Sequence, residues 1–211
     1  APGFYNAVLY LVEEDGTRTE LARTNLGCAP EKIVSAQDKQ PDFDDFWTRT
    51  LNELSQVDPQ YRLTLLPEHS NDVRRSYRVD MKSLGGEAIS GLLVEPVAPG
   101  KYPVMIHYMG YSSDVWFIDP SSNPDRIEFM LCVRNQAFNR LSGEEADWCA
   151  RGVESKDAYY YRGAFADAVR AVDFVSTLEK ADAGHIFAQG ESQGGALTLV
   201  AASLDHRIKA I

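Results

Sequence analysis

With 211 residues, 44% of them hydrophobic and 25% charged, the sequence has the composition of a globular protein with one sizeable core. The formal net charge of -10 would repel a phosphate backbone, which argues against nucleic-acid binding. The longest apolar stretch, residues 196–204, is far too short to cross a bilayer, so we expect no membrane-spanning segment.

The N-terminal segment predicts a β-hairpin. Residues 4–12 are aromatic, β-branched or apolar, and the extended pattern resumes at 17–23 after Asp15-Gly16, a dipeptide typical of a hairpin turn. Because two strands alone are marginally stable, we interpret residues 1–28 as the last hairpin of a β-sandwich or as an extension lying on the main domain. The polar, proline-bounded residues 29–41 predict a linker.

After this segment, the sequence predicts a helix and an antiparallel run of strands. Four apolar residues at helical spacing, behind Asp42 or Asp44 as the cap, indicate a core-facing stripe: Phe43, Trp47, Leu51 and Leu54. Extended stretches follow at 61–66, 76–81 and 88–95, and Gly85-Gly86 joins the last two.

From residue 103 onward the pattern changes to alternating strands and helices. Short apolar strands are predicted at 103–108, 129–133, 184–188 and 207–211, with helices at 161–178 and 193–203. This alternation indicates a parallel α/β sheet, so we assign residues 42–211 to one α/β domain.

One short motif carries chemistry. Gly190-Glu191-Ser192-Gln193-Gly194 lies between an apolar strand and a helix of small residues, which is the context of a nucleophile elbow. Gly190 and Gly194 would let the serine adopt a strained conformation while the helix packs close to the strand. The motif therefore predicts Ser192 as a nucleophile; the alternative is a structural Gly-Ser-Gly turn.

The same region predicts an oxyanion hole. The N-terminus of the helix behind Ser192 carries partial positive charge, and the backbone N–H of Gln193 is the natural first donor. The second donor should come from the loop after strand 103–108, where we select the backbone N–H of Tyr111. We interpret His107 as a buried, hydrogen-bonded residue that shapes this loop rather than as the catalytic base.

Several motifs in order give the sequence a family resemblance: residues 41–47, 107–112, 157–163 and 190–195, and then 205–208. From about residue 40 onward, the chain resembles the acetyl xylan esterase / cephalosporin C deacetylase family of carbohydrate esterases. The resemblance implies an α/β-hydrolase fold, with Ser192 as nucleophile and Tyr111 and Gln193 as oxyanion donors. It also implies removal of acetyl groups from xylan-type sugars or small acetyl esters without a metal or cofactor.

The sequence departs from the family pattern at two places. Arg134-Asn135-Gln136 stands where the family commonly has Arg-Gly-Gln, and Met109 replaces a histidine often found in the oxyanion loop. Either change could alter the wall of the pocket.

The acid and the base of a catalytic triad are not evident. In this fold they follow the serine in chain order, and only Asp205 and His206 do so. This pair would lie at the far end of a helix of about 15 Å, too far for a hydrogen bond to Ser192. We therefore expect a hydrolase domain that is incomplete at its C-terminus and inactive as this piece alone, or else a pseudoenzyme.

Other functions on the same pattern are a peptidase, a dienelactone-type hydrolase or a non-catalytic carbohydrate-binding module. An acetylated saccharide or small ester is the expected partner. The resemblance implies a homo-oligomer, and the substrate class favours a secreted or periplasmic location. Cys28, Cys132 and Cys149 lack metal-ligand spacing and are interpreted as packed free thiols, with a Cys132–Cys149 disulfide as the alternative after export.

Overall fold

The computed structural model describes residues 1–34, 39–143 and 147–211. The chain divides into two compact units, Ala1–Phe43 and Asp44–Ile211. The predicted linker at 29–41 includes residues 35–38, which lie outside the described residues, so the predicted domain boundaries stay predictions. Within the described ranges, no helix combines the length and apolar character needed to span a membrane.

The first unit is built on a β-hairpin of strands β1 (Gly3–Val12) and β2 (Arg18–Cys28). The Asp-Gly turn is confirmed: Gly16 adopts a φ of 86°, and the Thr17 N–H donates to the Asp15 carboxylate at 2.8 Å. The second strand runs to Cys28, beyond the predicted end at residue 23. Large apolar side chains such as Phe4 and Leu9 are exposed along the hairpin.

Helix α1 (Phe43–Ser55) confirms the predicted helix, but its stripe is only partly buried. Leu54 is buried with Leu84 and Val169, and Trp47 packs against Phe165. Phe43 is exposed, so its assignment to the core is wrong: it occupies the first helical position, before the helix reaches the core.

The described residues of the second unit form a seven-stranded sheet in the order β3-β4-β5-β7-β6-β8-β9. The strands are β3 (Arg62–Leu65), β4 (Arg74–Lys82), β5 (Ala88–Pro96), β6 (Tyr102–Tyr108), β7 (Ile127–Cys132), β8 (Ala181–Gly190) and β9 (Ile208–Ala210). Pairing is antiparallel from β3 through β5 to β7 and parallel from β7 through β6 and β8 to β9. The predicted antiparallel opening and parallel continuation are confirmed.

Besides α1, the described residues of this unit form two further α-helices, α2 (Tyr160–Ser176) and α3 (Gln193–Leu204). Small residues of α2, such as Ala164 and Ala168, bring it close to the sheet, where it shares a buried cluster with Phe129 and Leu131. The alternate residues of β7 face a second cluster on the other side of the sheet. Because β6 and β8 are parallel neighbours, the loops that follow them emerge at one edge, which is where sites form in such sheets.

The cysteines differ from the prediction in part. All three are free, so the Cys132–Cys149 disulfide is absent from this structure. Cys132 is buried like a small hydrophobic residue, whereas Cys28 and Cys149 are exposed. Their sequence neighbours gave no sign of this difference, because it depends on where each chain segment lies in the fold.

Substitution of Gly91 by alanine tests the packing at the centre of β5. A Cβ at this position would overlap the carbonyl oxygen of Met130 and the ring of Phe129. We expect Gly91→Ala to lower the free energy of unfolding by about 1–3 kcal/mol, measured by urea denaturation. Gly184→Ala is the matched control, since a Cβ there would lie 3.3 Å from one oxygen of the partly exposed Asp182 side chain and would overlap no backbone atom. Equal stability of the two variants would contradict this packing.

Candidate active site

Ser192 has an unusual backbone conformation at the turn between β8 and α3. Its φ is 56° and its ψ is -123°, a region that non-glycine residues rarely occupy. Such a residue costs about 1–3 kcal/mol and persists only where the surrounding structure holds it. A strained serine between a strand and a helix is the geometry of a nucleophile elbow, which presents the hydroxyl to the cleft above the sheet.

Close backbone packing explains the two glycines of the elbow. A Cβ on Gly190 would overlap the backbone of Gly194, and a Cβ on Gly194 would overlap the carbonyl group of Tyr108. The end of β8, the first turn of α3 and the end of β6 therefore meet through backbone atoms, with no room for side chains between them.

The elbow opens into a cleft of about 640 Å³. The described residues that line it come from the end of β6, the loop after it and the elbow: His107, Tyr108, Met109, Gly110, Tyr111, Ser113, Trp116, Gln189, Gly190, Glu191 and Ser192. Tyr111 and Ser192 thus share one cleft. The backbone N–H of Gln193 belongs to the first residue of α3, where helix N–H groups have no partner within the helix.

A pair of glutamines lies behind this cleft. Gln193 is buried, and its Oε1 accepts hydrogen bonds from the Tyr161 hydroxyl at 2.9 Å and from Nε2 of Gln136 at 3.1 Å. Gln136 is also buried, and its Nε2 donates to the Tyr160 hydroxyl at 2.8 Å. The pair ties the first residue of α3 to the segment after β7.

The same pair holds the loop that contains Tyr111. Oε1 of Gln136 accepts the backbone N–H of Ser112 at 2.9 Å, and Nε2 of Gln193 lies 3.5 Å from the carbonyl oxygen of Met109. Tyr111 is further fixed through its own hydroxyl, which accepts the backbone N–H of Trp148 at 3.0 Å. Both oxyanion candidates are therefore positioned by one buried network.

The Arg134-Asn135-Gln136 segment keeps the geometry that this network needs. Asn135 has a φ of 60°, a left-handed conformation that glycine and asparagine adopt most readily. Arg134 forms a two-point ion pair with the buried Asp167, with N–O distances of 2.9 and 2.7 Å. The asparagine thus occupies a position where glycine would also fit, and Gln136 still reaches Gln193.

His107 is a buried structural residue, which confirms its interpretation. Its Nδ1 accepts a hydrogen bond from the Gln189 amide at 2.9 Å, and its Nε2–H donates to Glu128 at 3.2 Å. These two partners fix the orientation of the ring. With both nitrogens engaged, the ring supports the end of β8 just before the elbow.

Glu128 anchors this arrangement from inside the sheet. Burial by itself would raise the pKa of its carboxyl, but hydrogen bonds from His107, Arg126 and Arg74 outweigh it and lower that pKa to about 2. The Arg74 pair is fully buried, with an N–O distance of 2.8 Å. A carboxylate with this many donors remains ionised through the neutral range.

Asp205 and His206 lie away from the elbow, as expected. Helix α3 spans 12 residues, or about 18 Å, between Ser192 and Asp205. The Asp205 carboxylate accepts a hydrogen bond from Nε of Arg207 at 2.9 Å, and Arg207 also reaches Asp173. Burial would raise the pKa of Asp205, but the hydrogen bonds and charge of Arg207 lower it, so this carboxylate stabilises the corner between α3 and β9.

The sheet order, the strand–elbow–helix connection and the cleft at the carboxyl ends of β6 and β8 are those of an α/β-hydrolase. Residues 31–211 match the family model described as acetyl xylan esterase (AXE1). The chain therefore belongs to the acetyl xylan esterase family, whose members are carboxylic ester hydrolases.

Individual relatives agree with this assignment. Acetyl esterase Axe7A of Xylanibacter ruminicola is 28% identical over 203 residues, which cover 88% of this chain and 45% of the relative. The acetyl xylan esterase from Paenibacillus sp. R4 superposes with a TM-score of 0.73 at 29% identity, covering 83% of this chain and 60% of that one. Acetyl xylan esterase 1 from Thermoanaerobacterium sp. JW/SL YS485 gives a TM-score of 0.72 at 26% identity, covering 80% and 56%. The chain thus spans about half the length of these proteins.

Substitution of Gln136 tests the network behind the oxyanion candidates. Gln136→Ala removes the acceptor of the Ser112 N–H and the hydrogen bonds between Gln136 and Gln193, so the loop with Tyr111 should shift. In the full-length protein, we expect kcat for p-nitrophenyl acetate to fall about 10- to 100-fold, with a smaller change in KM. Gln56→Ala, in the exposed turn just after α1, is the control. An unchanged kcat in a folded Gln136→Ala protein would contradict this role.

The depressed pKa of Glu128 predicts a pH-dependent stability. The contribution of this carboxylate is fully present above about pH 4.5 and is lost as the pH falls toward 2. In urea denaturation, the stability gap between wild type and Glu128→Gln should narrow by about 1.4 kcal/mol per pH unit below 4.5. The exposed Glu154→Gln should show no such trend. If the difference in stability between wild type and Glu128→Gln stays constant down to about pH 3, the pKa of Glu128 is not lowered by its hydrogen bonds.

Proposed function

We propose that the protein is a serine esterase that removes acetyl groups from xylan-type carbohydrates or from small acetyl esters through an acyl-enzyme at Ser192. The observation that carries the proposal is the strained backbone of Ser192 at a turn that opens into the cleft lined by Tyr111. Membership of the acetyl xylan esterase family supports the choice of reaction over a peptidase, a dienelactone-type hydrolase or a binding module.

In the proposed mechanism, Oγ of Ser192 attacks the carbonyl carbon of the acetyl group. The carbonyl oxygen becomes an oxyanion, which the backbone N–H groups of Tyr111 and Gln193 stabilise together with the N-terminus of α3. Collapse of this intermediate breaks the bond to the alcohol oxygen, which leaves with a proton as the sugar hydroxyl. Water then hydrolyses acetyl-Ser192, releasing acetate and restoring the serine.

The proton of Ser192 requires a general base, for which neither member of the Asp205–His206 pair is suitably placed. We therefore propose that the acid and the base come from a part of the protein outside this sequence, in keeping with relatives of which the matched region covers only 45% and 56%. Without them the serine hydroxyl is a weak nucleophile at neutral pH, so the 211-residue chain alone is expected to be inactive. The homo-oligomer and the exported location remain predictions.

The test is the loss of activity in a serine variant of the full-length protein. Ser192→Ala should reduce hydrolysis of both p-nitrophenyl acetate and acetylated xylan by at least about 1,000-fold, because no acyl-enzyme can form. Ser203→Ala, at the exposed far end of the same helix, should retain full activity. Mass spectrometry of acid-quenched wild type should find the acetyl group on the peptide that contains Ser192. Undiminished hydrolysis by Ser192→Ala would refute the proposal.

A further inference from the structure

Two residues of the cleft take no part in the mechanism proposed above. Trp116 lies in the loop after β6, and its side chain is an exposed large hydrophobic one, with 46% of the residue accessible. Glu191 stands directly before Ser192 and is also exposed. Both line the same cleft as the nucleophile, so an ester bound to Ser192 would meet them.

Trp116 is held in place by a residue that is itself fixed. Its ring packs edge-to-face on His107, with centroids 5.4 Å apart and an interplanar angle of 85°. Both nitrogens of His107 are engaged, with Gln189 and Glu128. The tryptophan therefore presents a fixed apolar surface to the cleft, on which the C–H face of a sugar ring can pack.

Glu191 gives the cleft a negative charge that no described lining residue balances. Among the described lining residues, none is a lysine or an arginine. Arg140 reaches the same loop but donates to the carbonyl oxygen of Ser112 at 3.1 Å and lies 3.7 Å from Asp114. A negatively charged substrate would meet repulsion here, whereas a sugar hydroxyl could donate a hydrogen bond to the carboxylate.

We propose that Trp116 and Glu191 form the subsite for the alcohol part of the ester, which accepts an uncharged sugar ring and rejects esters whose alcohol part carries a carboxylate or phosphate. The inference rests on the proposed function, because it places the subsite relative to an ester attacked by Ser192. It goes further because it assigns the selection for the charge of the alcohol part to Glu191 and the selection for its shape to Trp116.

The charge selection can be measured with two small esters that differ by one charge, methyl 4-acetoxybenzoate and 4-acetoxybenzoate. In the full-length protein, the neutral-to-anionic ratio of kcat/KM should fall on the order of 5-fold in Glu191→Gln, because the repulsion is removed. The two esters also differ in intrinsic reactivity, but this difference is the same for every variant. It therefore cancels when the ratio of one variant is compared with that of another. The control Glu154→Gln should keep the wild-type ratio. A wild-type ratio in Glu191→Gln would overturn the charge selection.

The stacking surface can be measured with an acetylated xylotriose. Trp116→Ala should raise KM for this ester about 10-fold with a smaller effect on kcat, because apolar contact with the sugar is lost. Trp116→Phe should recover most of the affinity. Phe117→Ala is a matched control, since Phe117 is the next residue and equally exposed at 45% but stacks on His69, outside the lining of the cleft. A wild-type KM in Trp116→Ala would overturn the stacking role.

Ser192→Ala separates this inference from the function on which it rests. If that variant loses hydrolysis of all three esters while the Glu191 and Trp116 variants behave like wild type, the subsite alone is wrong. If Ser192→Ala hydrolyses the esters normally, the proposed function fails, and the subsite fails with it.

Discussion

The close approach of three backbone segments is the constraint on which the site depends. The end of β6, the end of β8 and the first turn of α3 touch at Gly190 and Gly194, where any Cβ would overlap a neighbouring carbonyl or backbone atom. This contact allows α3 to begin immediately after Ser192 and keeps the serine at a φ of 56°. The strain of about 1–3 kcal/mol is offset by the parallel pairing of β8 with β6 and by the burial of Leu197 and Ala201 of α3 in the core.

Two polar networks support this backbone contact, one made of neutral amides and the other of charged side chains. Behind the oxyanion candidates, Gln136 and Gln193 form a neutral amide pair, which carries no charge close to the position of the oxyanion. Below the end of β8, His107 and Glu128 belong to an ionic cluster that Arg74 anchors inside the sheet. Buried ion pairs add little net stability, but loss of one partner is costly, so such a cluster is better suited to fixing geometry than to stabilising the fold.

The order of elements could be predicted from the sequence, because strand and helix periodicities are local properties. Contacts between residues that are far apart in the sequence could not be predicted in this way. Phe43 continues the helical stripe of α1 yet is exposed, and Cys149 is exposed where packing was expected. Ser192 and its glycines were recognisable because the motif is contiguous. The partnership of Gln136 with Gln193 joins residues 57 positions apart, and only the departure at Asn135 drew attention to that segment.

The elements that shape the elbow all belong to this chain. β6, β7, β8 and α3 supply the backbone contact, the glutamine pair and the histidine cluster, and each of these interactions is complete among the described residues. The backbone geometry at Ser192 is therefore formed by contacts within this chain, without the acid and base of the proposed mechanism. In the proposed mechanism, the position of the serine and the transfer of its proton thus depend on different parts of the structure, since neither Asp205 nor His206 lies near Ser192.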